Sequence, residues 1–180
     1  EAAEKKAAAI IVSKEVELPE QTETTLIRVE DTRYALAFVS AAWFDHPAKK
    51  LTTIGITGTK GKTTTTYLVK SILENAGRKV GLVGTIEIII GDTHIHAVNT
   101  TPESYLLQEY FAKMVESGCD TVVMEVSSQA LMLHRTQGFV FDFGIFTNLE
   151  PDHIGPNEHG SFEEYAHCKS LLFQQCRVGI

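Results

Sequence analysis

The stretch Leu51-Thr52-Thr53-Ile54-Gly55-Ile56-Thr57-Gly58-Thr59-Lys60-Gly61-Lys62-Thr63-Thr64 restricts this chain more than any other. A short β-branched apolar run passes through glycines into a segment with helical periodicity. That order is strand, glycine loop, helix, the arrangement of a phosphate-binding loop. Glycines let successive backbone N–H groups turn toward an anion with no Cβ in the way. Lys62 is placed for the outer phosphates of a nucleoside triphosphate, and the Thr63 hydroxyl for the Mg²⁺ that accompanies them. The helix that starts here adds the positive end of its dipole. The strict pattern GxxxxGK would need glycine at Ile56; the early glycine is instead Gly55, and Gly58 lies inside the loop.

Strand-like and helix-like segments alternate around this loop. Ala8–Ser13 and Thr25–Glu30 read as short strands, the first buried, after a helical Glu1–Ala7. Asp31 or Thr32 caps a helix running to about Phe44, its apolar residues assigned to core, with Pro47 closing it. After the loop, Leu68, Val69, Ile72, Leu73 and Ala76 form a helical stripe ended by Gly77. Val80–Val83 is a buried strand, and Ile86–Ile90 with Thr93–Val98 is a hairpin about Gly91-Asp92. Thr101 and Pro102 read as cap and first position of the next helix, with Leu106, Leu107, Tyr110, Phe111, Met114 and Val115 as its apolar stripe. Thr121–Val126 and Phe141–Phe146 are strands, and Ser161-Phe-Glu-Glu164 is a capping box opening the last helix. Alternation of this kind implies an α/β fold, a mainly parallel doubly wound sheet with ligands at the C-terminal ends of its strands.

Composition narrows the partners. A net charge of −7 leaves no basic surface for nucleic acid or an anionic membrane. No apolar run approaches the ~20 residues of a membrane span. Three cysteines without a CxxC pair argue against a disulfide framework and fit a reducing, cytoplasmic setting. The first residues read as the middle of a helix and the last as the start of a strand, so a piece of a longer chain is expected, with a monomer as the expected oligomeric state.

Polar segments that follow strand ends converge on one rim. Glu125 ends an apolar strand, where an acid is costly unless paired or bound to a metal. Asn99-Thr-Thr-Pro102 is a hydroxyl-bearing loop before a helix, suited to a phosphate or carboxylate or to simple capping. Ser127-Ser128 precede Arg135 by one short helix. Asn148–His159 holds Asp152, His153, Glu158 and His159, spaced poorly for structural zinc. His94 and His96 share a strand face, as an exposed polar pair or a metal pair. Lys169 reads, from sequence alone, as a solvated lysine on the last helix.

Taken in order, Gly55–Thr64, Asn99-Thr-Thr-Pro102, Met124-Glu-Val-Ser-Ser128, Thr147-Asn148, Asp152-His153 and Tyr165…Lys169-Ser-Leu-Leu-Phe173 resemble the Mur ligases, and among them the UDP-N-acetylmuramoyl-tripeptide synthetases. The resemblance covers 48–180 as an incomplete ATP-binding central domain, and less specifically 1–47 as the end of a smaller α/β UDP-binding domain. It implies that Gly58, Thr59, Lys60, Gly61, Lys62, Thr63 and Thr64 bind ATP. Thr63 and Glu125 would hold one Mg²⁺, and His153 with a carbamylated Lys169 would serve a second. Thr100, Thr101, Ser127 and Arg135 would contact the UDP-linked muramoyl dipeptide, to which an amino acid is joined through an acyl phosphate. Lys62, Glu125, His153 and Lys169 would thus be the catalytic set. The chain departs from the family pattern at Lys60 (commonly Asn), Gln129 (commonly His), Leu133, and Ile154–His159. The added amino acid stays open. Two alternatives also stand: a folylpolyglutamate synthetase-like ligase, which expects glycines where Ser127-Ser128 lie, and a noncatalytic ATP-binding P-loop protein.

Overall fold

The computed structural model describes residues 2, 4–19, 22–152, 154–155 and 159–180. The chain opens with two parallel strands, β1 (Ala9–Val12) and β2 (Thr25–Arg28), then α1 (Thr32–Trp43) and a single 3₁₀ turn at Pro47–Lys50. It continues through β3 (Thr52–Thr57), α2 (Lys62–Asn75), β4 (Val80–Val83), β5 (Glu87–Ile90), β6 (Thr93–His96), α3 (Ser104–Glu116) and β7 (Thr121–Glu125). The short α4 (Ser128–Met132), β8 (Phe141–Phe146), α5 (Phe162–Gln174) and β9 (Cys176–Gly179) complete it.

Seven strands form one sheet in the order β6-β5-β4-β7-β3-β8-β9. β4, β7, β3, β8 and β9 run parallel; β5 and β6 form the antiparallel hairpin at one edge. β7 is buried along its whole length, as its Thr-Val-Val-Met-Glu run requires of a strand covered on both faces. One face packs Leu107, Phe111, Met114 and Leu172 from α3 and α5 onto Val122, Met124 and Phe141. The other packs Val69 and Leu73 of α2 onto Ile54, Ile56, Val80 and Val123. The doubly wound reading therefore holds. Register aligns Ile56 with Glu125, Val83 with Met124, and Thr57 with Phe146, so the turns after β3, β4, β7 and β8 emerge along one edge.

Several local expectations are corrected. Ala2 and Glu4–Lys6 form a turn, not a helix. β1 is exposed to half-buried and β2 exposed throughout, so neither strand is the buried element expected. In α1 only the small Ala37, Ser40 and Ala41 are buried, while Tyr34, Leu36, Phe38, Val39 and Trp43 stay exposed, Trp43 at 74%. Gly138 explains that choice of face: a Cβ there would lie 2.7 Å from the Ala37 carbonyl oxygen. On α2, Leu68 and Ile72 face solvent and Thr66 is the fully buried residue. α3 begins at Ser104, two residues after Pro102, with Glu103 as N-cap. At α5 the Ser161 hydroxyl caps Glu164 as expected, but the Glu164 carboxylate accepts from Gly160 N–H.

Candidate active site

The loop between β3 and α2 has its shape set by two glycines. Gly58 has φ +146°, and a Cβ on it would fall 2.0 Å from Thr147 Oγ1; Gly61, at φ +80°, is the N-cap of α2. Gly55 is not part of the loop. It sits in β3 beneath Phe141, where a Cβ would come within 2.9 Å of the ring. That is why the spacing departs from the strict pattern.

The segment after β8 fastens the loop from behind. Asn148 accepts from Lys60 N–H at 2.9 Å through Oδ1 and donates to the Lys60 carbonyl at 3.0 Å through Nδ2. Thr147 Oγ1 donates to the same carbonyl, Thr59 N–H to the Asn148 carbonyl, and Glu150 N–H to Thr59 Oγ1. The Lys60 ammonium pairs with Glu150 on the exposed side. Thr64 lies in the first turn of α2.

Two lysines converge on one carbonyl. Lys62 Nζ donates to Gly58 O at 2.8 Å and to Thr59 O at 3.1 Å; Lys169 Nζ donates to Gly58 O at 2.8 Å. Lys169 is 1% exposed and lies 4.5 Å from the centre of the Tyr165 ring. The solvated reading of this lysine is thereby overturned. Burial, with the neighbouring Lys62 charge second, lowers its pKa to about 7. Burial also lowers that of Lys62, opposed by Glu125 and Asp152.

Glu125, 1% exposed, accepts from Thr63 Oγ1 at 3.0 and 2.9 Å, from Thr85 N–H at 2.8 Å and from Thr85 Oγ1 at 3.2 Å. Gly84 makes this approach feasible, since a Cβ there would lie 2.7 Å from Glu125 Oε1. A buried carboxylate beside a threonine hydroxyl, at the start of a phosphate-loop helix, is the hard oxygen set that suits Mg²⁺ shared with phosphates. His153 lies outside the described residues, as does Glu158. Among the described residues, no three His, Cys, Asp or Glu side chains group as a metal cluster. His94 Nδ1 instead contacts Glu87 at 2.7 Å.

Beside Lys62 and Lys169 opens a cavity of about 260 Å³ whose wall includes Thr100, Thr101, Ser127 and Arg135. The Arg135 guanidinium is held by Glu103 at 2.7 Å and by the Thr101 carbonyl at 3.2 Å. Thr101 Oγ1 donates to the Glu125 carbonyl and accepts from Ser127 N–H. Ser127 Oγ caps α4 by accepting from Ala130 N–H. Sequence reasoning missed Thr85, and weighed His159 only as a zinc ligand. His159 is a buried part of the cavity wall, 2.8 Å from Ser128 Oγ and stacked obliquely near Tyr165. The Ser-Phe-Glu-Glu cap, which fixes where α5 begins, was the available signal for the latter.

The sequence pattern that describes the Mur ligase middle domain matches residues 56–180. This chain belongs to the Mur ligases. Among similar relatives is the UDP-N-acetylmuramoyl-L-alanyl-D-glutamate–2,6-diaminopimelate ligase of Clostridium perfringens, 49% identical over 180 residues. The alignment covers 100% of this chain and 36% of that Mur ligase. A solved structure of a ligase with the same name superposes with a TM-score of 0.81 at 25% identity, covering 95% of this chain and 34% of that one. A folylpolyglutamate synthase from Mycobacterium tuberculosis, complexed with ADP and AMPPCP, superposes at a TM-score of 0.59 and 16% identity, covering 77% of this chain and 38% of that one. The latter likeness is one of fold alone. The chain thus spans about a third of the length of the Mur ligases it matches. Among the described residues no helix is long and apolar enough to cross a membrane.

Proposed function

We propose that the protein to which this chain belongs is an ATP-dependent amide ligase of peptidoglycan synthesis. It joins an amino acid to the D-glutamate of UDP-N-acetylmuramoyl-L-alanyl-D-glutamate, and the relatives' names make 2,6-diaminopimelate the first amino acid to test. One observation carries the reading: Lys62 and Lys169 share the Gly58 carbonyl at the mouth of a cavity that also holds Thr100, Ser127 and Arg135. Residues 48–180 are read as part of the ATP-binding domain and 1–47 as the end of a UDP-binding one. The setting is cytoplasmic and the partners are small molecules, with a monomer as the working unit.

In this reading the loop amides of Gly58–Thr64 cradle the ATP phosphates, and Lys62 leaves the loop carbonyls to meet them. The D-glutamate carboxylate attacks the γ-phosphorus, the bond to ADP breaks, and an acyl phosphate forms. The incoming amine then attacks the acyl carbon, phosphate departs with the C–O electron pair, and the amine loses a proton. Anion meets anion in the first step, so the barrier is largely electrostatic. Thr63 and Glu125 would hold one Mg²⁺, with His153 and carbamylated Lys169 serving a second; these cations supply charge neutralisation. Lys169 is suited to carbamylation because burial brings its pKa down to about 7, so that about half of the amine is neutral at pH 7 and can add to CO₂, releasing a proton. Arg135, fixed by Glu103, orients the dipeptide's anionic end. The test is product formation by the full-length protein from ATP, the UDP-muramoyl dipeptide and candidate amino acids. ATP hydrolysis indifferent to the dipeptide would refute the ligase reading, and glutamate addition to a folate would favour the folylpolyglutamate alternative.

A further inference from the structure

Two side chains, Thr85 and Thr100, connect the buried acid Glu125 to the cavity. Glu125 Oε2 lies 3.2 Å from Thr85 Oγ1, which lies 3.1 Å from Thr100 Oγ1, and Thr100 forms part of the cavity wall. A hydroxyl has one proton to give. The Glu125 carboxylate has none and only accepts, already taking the Thr85 N–H and the Thr63 hydroxyl. The Thr85 proton goes to the carboxylate, because a hydrogen bond to a charged acceptor is about twice as strong as one between neutral groups. The Thr100 proton must then point at Thr85. Direction thus propagates outward from the acid.

We infer that Thr100 offers the cavity lone pairs only, so it selects a peptide N–H of the bound ligand and rejects a carboxylate or phosphoryl oxygen at that point. The inference rests on the muramoyl-dipeptide reading and deepens it. Ser127 supplies the opposite polarity: its oxygen accepts from Ala130 N–H, which leaves its own proton to donate. Arg135 donates only. An acceptor at Thr100 with a donor at Ser127 is the complement of an amide, whose N–H and C=O point in opposite directions, while Arg135 is left to the anionic end. Thr101 plays no such part through its hydroxyl, which is engaged with the Glu125 carbonyl and Ser127 N–H.

The test measures binding to the full-length protein by titration calorimetry. The ligands are UDP-N-acetylmuramoyl-L-alanyl-D-glutamate and two analogues in which an ester oxygen replaces each peptide N–H in turn. In the wild type, one ester should bind about tenfold or more weakly, since it sets acceptor against acceptor. Thr85→Val keeps the backbone N–H bond to Glu125 but frees the Thr100 proton, and should bring that ester to within about threefold of the amide. Thr85→Ser should discriminate as the wild type does, and Thr100→Val should bind amide and ester alike. The inference is overturned if both esters match the amide in the wild type, or if Thr85→Val and Thr100→Val discriminate as the wild type does. Failure of the dipeptide itself to bind would instead overturn the proposed function, and this inference with it.

Discussion

Replacing Lys169 by methionine should alter the pH dependence of folding stability. The buried amine has a folded-state pKa of about 7 against an ordinary 10.5, chiefly because of burial and then because of the Lys62 charge. Between those values the unfolded chain carries a proton that the folded chain has shed, so stability rises with pH across this window. Below pH 7 both states are protonated and the full penalty of a buried cation is present; above 10.5 it is gone. Each full unit in the window is worth about 1.4 kcal/mol, so the whole shift amounts to about 5 kcal/mol, and the interval from pH 7, where the folded amine is half protonated, to pH 9 amounts to about 2 kcal/mol. Methionine has similar length and no charge. Urea unfolding of wild type and Lys169→Met side by side, in CO₂-free buffer at pH 7 and pH 9, should show the wild type gaining about 2 kcal/mol relative to the variant. Parallel behaviour, with a differential below about 1 kcal/mol, would refute the buried, depressed-pKa amine.

Three further outcomes are expected. Lys169→Ala in the full-length enzyme should lose activity, and bicarbonate should not restore it; wild-type turnover would remove the carbamate claim. Gly58→Ala, forced into φ +146° with its Cβ at 2.0 Å from Thr147 Oγ1, should lose about 2 kcal/mol or more of stability and abolish nucleotide binding, read by thermal unfolding and ADP titration. Glu103→Gln, by loosening the 2.7 Å contact to Arg135, should raise KM for the dipeptide about tenfold while leaving KM for ATP unchanged; steady-state kinetics separates the two.

The strands and the loop were legible because their signals are local. Val-Val-Met-Glu-Val can only be a doubly covered strand, and the periodicity of Phe141–Phe146 matches β8 residue for residue. Residues whose role depends on distant partners were not legible. Nothing within α1 says that Ala37 and Ala41, not Phe38 or Val39, face inward; the answer lies in Gly138, about a hundred residues later. Thr101 looked like a helix cap because its hydroxyl precedes a proline, yet strand β7 claims that hydroxyl first. Lys169 looked solvated because no local feature reports that Tyr165 and the phosphate loop enclose it. Thr85 carried no signal, since a lone threonine after a glycine resembles any turn.

Asn148 presents one acceptor and one donor to the N–H and C=O of Lys60, doing for the loop what an adjacent strand would do for a sheet edge. The loop's conformational freedom is therefore surrendered when the chain folds, and under the proposed function it would not be charged against the nucleotide on arrival. Association at this rim should accordingly show a small entropic penalty, its heat arising mainly from Lys62 exchanging two carbonyls for an anion.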